Sequence, residues 1–168
     1  MGAAERLVAI EEIKALFARR VRAMDQKDWA LYDTCHAPHA VLKSFSGAQT
    51  GLAALADDGG VPTALGKAAI LEAIRSLLDG ETKVTTVHHA HTPEIELTSD
   101  TTATGIWAME DLLWWWDDGV EQRFQGWGHY HETYEKIDGA WLIASRTLTR
   151  LRTVETPEFF RYLAKREA

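Results

Sequence analysis

Between residues 4 and 24 the apolar side chains Leu7, Ile10, Ile13, Phe17, Val21 and Met24 recur every three or four positions, with Glu11, Glu12, Lys14, Arg19, Arg20 and Arg22 between them. That period predicts an amphipathic helix with one stripe turned to a core. Asp28 is placed to N-cap a second, short helix carrying Trp29, Leu31, Tyr32 and Cys35, closed by Pro38. Residues 39–45 read as a short strand. Residues 46–63, with Gly47, Gly51, Gly59, Gly60 and Pro62, read as a long loop placed to act as a flap over a pocket. A third helix follows Gly66 on the spacing of Ile70, Leu71, Ile74, Leu77 and Leu78, with Gly80 as its C′ residue.

From Lys83 onward the period changes to two, and four extended segments follow over residues 83–97, 101–115, 121–137 and 140–152. Thr98-Ser99-Asp100, Asp117-Asp118-Gly119 and Asp138-Gly139 between them are hairpin-type turns, so the segments form an antiparallel meander. Strands of this length twist and bend at bulges, giving a curved sheet that can wrap around the N-terminal helices. The expected class is α+β, with the helices filling the concave face.

Composition narrows the partners. A chain of 168 residues fits a single domain over residues 1–168, and its 46% hydrophobic and 26% charged content is that of a globular protein. No apolar run is long enough to span a membrane, and Met1-Gly2-Ala3-Ala4-Glu5-Arg6-Leu7 has no leader character, so no membrane partner and cytoplasmic residence are expected. The net charge of −7 gives no basic stripe for phosphates, which argues against nucleic acid. Cys35 stands alone, which excludes an internal disulfide and a cysteine metal cage. Seven tryptophans favour a roomy apolar cavity or a large interface, and the run Trp114-Trp115-Trp116 exposes at least one ring whichever way the strand faces.

The candidate chemistry lies in Val87-His88-His89-Ala90-His91-Thr92-Pro93-Glu94-Ile95-Glu96-Leu97. Imidazole titrates near neutrality, so an inward histidine is a proton-transfer group or a core residue in need of a partner. Strict alternation from Ile95 and Leu97 turns His89 and His91 inward; a one-residue bulge near Thr92-Pro93, where proline interrupts the strand, turns His88 inward instead. Both remain open on periodicity alone. Asp25, at the end of the first helix, faces the negative end of the helix dipole and does nothing for the helix there. His89/His91 and His129/His131 are metal-type pairs without a dedicated third ligand, so no metal is expected. No Gly-x-Ser-x-Gly elbow or phosphate-binding glycine loop is present. Acid–base chemistry by a histidine and a carboxylate is what survives.

Met24-Asp25-Gln26-Lys27-Asp28-Trp29, then Val87-His88-His89 leading to Ile95-Glu96-Leu97 and Asp100-Thr101-Thr102-Ala103, then Gly128-His129-Tyr130-His131-Glu132-Thr133-Tyr134 through Asp138-Gly139-Ala140-Trp141 to Arg146 resemble the SnoaL-like branch of the nuclear-transport-factor-2-like superfamily. The resemblance covers nearly the whole chain and is closest to the scytalone-dehydratase-like subgroup, which also includes bile-acid 7α-dehydratase and hexachlorocyclohexane dehydrochlorinase. It implies a cone-shaped α+β barrel holding an apolar substrate, without a cofactor, between a helix-end aspartate and a strand histidine. By that match the catalytic pair is Asp25 and His88.

Scytalone dehydratase has tyrosines where this chain has Met24 and Ser44, so dehydration of scytalone itself is not expected. Ser44 and Tyr130 become candidate substrate contacts, Trp107 a candidate wall, and Arg20 and Arg146 the cations that the dehydrochlorinase resemblance places near a departing anion. The implied function is a dehydratase-like lyase or isomerase acting on a small cyclic apolar compound, polyketide-, steroid- or aromatic-derived. The competing readings are a non-catalytic module binding a hydrophobic ligand and a structural subunit like the β-subunit of ring-hydroxylating dioxygenases. A homo-oligomer, dimer or trimer, is expected through the outer face of the sheet.

Overall fold

In the computed structural model, residues 1–44 and 61–156 are described, the side chains of Ser44 and residues 61–63 excepted. The expected flap falls mostly outside these residues. Helix α1 (Ala3–Gln26) opens with the Glu5 carboxylate accepting from the Gly2 N–H at 2.6 Å. Its buried stripe is Ala9, Ile13, Leu16, Phe17, Arg20, Ala23 and Met24. The stripe is thus rotated from the expected one: Leu7 is 66% exposed while Arg20 is fully buried. A charged residue enters the stripe because Glu132 waits for it in the interior.

Asp28 N-caps α2 (Trp29–Asp33) by accepting from the Leu31 N–H, as the sequence suggests. Pro38, however, does not close that helix; it lies inside β1 (His36–Ser44), which starts earlier than expected. A second difference is β2 (Val61–Leu65), an edge strand where loop was expected, paired antiparallel with β1. Helix α3 (Lys67–Asp79) follows Gly66 and lays Ile70 and Leu78 against the core.

The meander is β3 (Thr85–Ala90), β4 (Glu94–Leu97), β5 (Thr102–Asp117), β6 (Val120–Ile137) and β7 (Ala140–Thr156). Asp118-Gly119 and Asp138-Gly139 carry positive φ at both positions, the conformation that joins twisted strands through two residues. The seven strands form one mixed, curved, unclosed sheet in the order β2-β1-β7-β6-β5-β3, with β4 also on β5 and β1 parallel to β7. Register shifts in β6/β7 after Trp127 and Thr133 mark bulges that bend the longest strands.

The expected single strand over 83–97 is two strands. His88 pairs with Asp111 and Glu94 with Ile106, so six steps along this edge face five along β5. One residue is extra, and it falls in the stretch His91–Thr92–Pro93, where proline removes a ladder donor. The extra residue reverses the alternation, so that Thr86 and His88 share the inner face with Leu97 while His89 faces out. Trp115 is buried and Trp116 is 65% exposed.

Gly128 marks the tightest approach between β6 and β7. A Cβ there would collide with the Thr149 carbonyl oxygen, and backbone cannot swing aside as a side-chain tip can. Gly128→Ala is expected to destabilise the fold by about 2 kcal/mol or more. Urea unfolding checks this; a midpoint equal to that of the parent protein would refute the close packing.

Candidate functional site

The last turn of α1 holds Met24 inward and Asp25 beside it, and has no basic residue to offset the carboxylate. Lys27 ends the helix at φ 60, a left-handed conformation that usually falls to glycine. Its side chain reaches across to β3, donating to Thr86 Oγ1 at 3.0 Å and back to the Met24 carbonyl at 3.3 Å. The compensation Asp25 lacks from its helix comes from β3. Thr86 Oγ1 donates to Oδ1 at 2.8 Å, the His88 backbone N–H to Oδ2 at 3.0 Å, and His88 Nδ1 to Oδ1 at 2.6 Å.

Those contacts set the charge of the carboxylate and the orientation of the ring. Burial by itself pushes the Asp25 carboxyl up, but the hydrogen bonds from the His88 ring, its charge when protonated, the His88 backbone N–H and the Thr86 hydroxyl outweigh burial and hold it below the usual carboxylate range. An ionised carboxylate only accepts, so His88 Nδ1 is the donor in this bond. The His88 side chain is 7% exposed and that of Asp25 23%. The arrangement holds the imidazole in one orientation, with Nδ1 committed to the carboxylate.

Further along the concave face lie more charges. Directly across from His88 in the ladder, Asp111 is buried and takes a two-pronged ion pair from Arg150, Nη1 to Oδ1 and Nη2 to Oδ2, each 2.6 Å. Gly126, the next residue in the same row, leaves the space this pair fills. Deeper, the guanidinium groups of Arg20 and Arg146 lie over the Tyr130 ring at 5.0 and 5.4 Å. Arg20 approaches Glu132 at 3.6 Å, while Glu132 accepts from Tyr134 at 2.6 Å. Among the described residues, all three nitrogens of Arg20 and Nη1 of Arg146 are buried without a hydrogen-bond partner. His36 donates through Nδ1 to the Tyr32 carbonyl; burial, then the Arg146 and Arg20 cations, pull its pKa down to about 3, so it is neutral.

The candidate residues from the sequence therefore divide. Asp25 and His88 touch. Met24 packs into the cluster of Ala23, Tyr32, Ala40, Ile70 and Phe124. Trp107 stacks on Phe17 at 3.8 Å and donates to the Tyr134 hydroxyl at 2.8 Å, so it and Tyr130 sit in the core. Arg146 borders a narrow crevice with His36, Ala40 and Ile70. Ser44 lies outside the described side chains. The outer-face His89 bonds Glu110 at 2.9 Å, and among the described residues no group of three or more His, Cys, Asp or Glu is arranged to hold a metal ion.

Sequence reading did not pair Asp111 with Arg150, nor Arg20 with Glu132. One signal existed for the first: Asp111 continues the inward alternation of Trp107 and Met109, and a carboxylate on that face needs a cation.

Comparison with known proteins agrees with this geometry at the level of the fold. The hexachlorocyclohexane dehydrochlorinase LinA type 2 superposes with a TM-score of 0.74 at 16% identity, covering 92% of this chain and 93% of that one. A protein from Novosphingobium aromaticivorans, provisionally named a scytalone dehydratase, gives 0.74 at 16% identity over 91% of each chain. ActVI-ORFA from Streptomyces coelicolor gives 0.64 at 17% identity, covering 85% of this chain and 97% of that one. Among the described residues no helix is long and apolar enough to cross a membrane. Residues 5–147 match the model of the SnoaL-like domain, a stretch that takes in α1, the β3 histidines and the meander as far as Arg146, and so the chain belongs to the SnoaL-like family.

Proposed function

We propose that this protein is a cofactor-independent lyase or isomerase of dehydratase type, acting on a small, cyclic, largely apolar compound of polyketide, steroid or aromatic origin. The observation that carries the reading is the 2.6 Å bond from His88 Nδ1 to Asp25, which leaves Nε2 as a base on the inner face. Nε2 takes a proton from a substrate carbon. The released electron pair forms the new double bond, and either a leaving group departs from the adjacent carbon or the proton returns at another position. Asp25 holds the ring and offsets its positive charge while the proton is on it.

Arg20 and Arg146 have N–H groups without a partner among the described residues and serve the departing anion or a substrate oxygen; Met24, Trp107 and Tyr130 belong to the packed interior. Exposed Trp116 and Val120 at the β5–β6 hairpin support a homo-oligomer, dimer or trimer; sedimentation velocity on the parent and Trp116→Ser decides whether that patch is the contact.

His88→Ala is expected to lower kcat by about 10²–10⁴-fold, and Asp25→Asn by a comparable factor, with circular dichroism unchanged. The assay is product formation on a panel of cyclic compounds bearing an acidic C–H next to a leaving group, hexachlorocyclohexane among them. Full activity of both variants on any compound the parent converts would end this mechanism.

Asp25 also ties stability to pH. Its folded pKa is depressed, so its stabilisation is fully present above the ordinary value near 3.8 and is lost as pH falls through the lower folded value. The stability gap between the parent and Asp25→Asn, from urea unfolding, is therefore expected to be largest near neutrality and to shrink below about pH 4. A gap constant down to pH 2 would show that the carboxylate charge is not what β3 binds.

A further inference from the structure

We propose that Asp111, paired with Arg150, is a second carboxylate for His88 and, with Arg150, a positioning pair that sets the proton affinity of the base from the side opposite Asp25. It rests on the reading of His88 as the base. Three observations lead to it. His88 and Asp111 are direct partners in the β3/β5 ladder and both point to the inner face, which brings their Cβ atoms within about 5 Å. Asp111 is 4% exposed, and burial at that level demands a cation; Arg150 supplies it through two 2.6 Å bonds rather than the single contact common on surfaces. Gly126 closes the argument from the far side, because any Cβ there would collide with the Arg150 guanidinium and with Asp111. Three strands are thus shaped around one ion pair next to the imidazole.

The charges facing His88 are Asp25 from α1, Lys27 through the Thr86 hydroxyl, Asp111 from β5 and Arg150 from β7. His89 and Glu110 are on the outer face. With His88 neutral, the row from Asp25 to Arg150 reads negative, neutral, negative, positive. With His88 protonated it alternates in sign throughout, the arrangement in which each charge has an opposite neighbour. Asp25 fixes the tautomer, and Asp111 adds to the stabilisation of the protonated ring without touching its hydrogen-bonding nitrogen. Arg150 limits that addition, and its bonds to Asp111 hold the Arg150 guanidinium firmly protonated against burial.

The test needs no substrate. The His88 ring titration is followed by NMR in the parent protein, with its resonances assigned by comparison with His88→Gln. Asp111→Asn removes the carboxylate and leaves the Arg150 cation, so the His88 midpoint is expected to move down by about half a unit or more. The double variant Asp111→Leu/Arg150→Met replaces the pair by apolar residues, a change that buried pairs often tolerate. Its midpoint is expected between those of the parent and Asp111→Asn, and it stands alone if Asp111→Asn fails to fold. A His88 midpoint unmoved in the folded variants overturns the proposal. Asp25→Asn separates this from the reading beneath it: if Asp25→Asn also leaves the midpoint in place, the Asp25–His88 pair itself is at fault, whereas movement in Asp25→Asn alone removes only Asp111 and Arg150.

Discussion

The contact on which the arrangement depends is the acceptance of three hydrogen bonds by one carboxylate. Asp25 stands at the wrong end of its helix dipole, and two donors from His88 and one from Thr86 make that position favourable. The same three bonds clamp the end of α1 to β3 across 63 positions of sequence. Lys27 adds a fourth tie through the Thr86 hydroxyl, and the left-handed turn at Lys27 aims it there. Local strain, charge placement and long-range packing are therefore solved together, and the solution leaves one imidazole nitrogen unused.

The interior as a whole extends this logic. A concave sheet filled by a helix is normally lined with apolar groups, yet here the inner face carries Asp111, Arg150, Glu132, Arg146 and, from α1, Arg20. Isolated charges in such surroundings are unstable, and pairing is how they persist. Asp111 and Arg150 are fully matched. Arg20 and Glu132 are not, since 3.6 Å is long for a hydrogen bond and the Arg20 nitrogens find no other acceptor among the described residues. The interior around Arg20 thus keeps unspent donor capacity.

The three helices, the meander, both Asp-Gly turns and the cap at Asp28 were legible in the sequence because each depends on local period or on residues with special φ. Asp25 was legible as an anomaly, since a carboxylate without helical purpose invites a partner. The rotation of the α1 stripe was not, because Arg20 reads as a surface residue until Glu132, 112 positions away, is brought against it. The strand at Val61–Leu65 was hidden by Gly- and Pro-rich neighbours that resemble loop. Arg150 escaped notice because the bulge in β7 between Ile143 and Ser145 shifts its register by one residue, so that it pairs with Gly128 where hairpin counting from Asp138-Gly139 gives Trp127. Periodicity on its own also left His88 and His89 undecided, since the choice turns on a single extra residue.

That extra residue between Ala90 and Glu94 has a consequence for how such a site can change over generations. Leu97 anchors one end of the edge in the core, so the length of the intervening stretch sets the phase of everything before it. A slip of β3 by one residue that irons out the bulge would turn β3 over by half a turn of its pleat, and His89 would take the place opposite Asp111 that His88 holds now. The doubled histidine makes the chain tolerant of a frame slip that in most strands would replace an imidazole by an unrelated side chain.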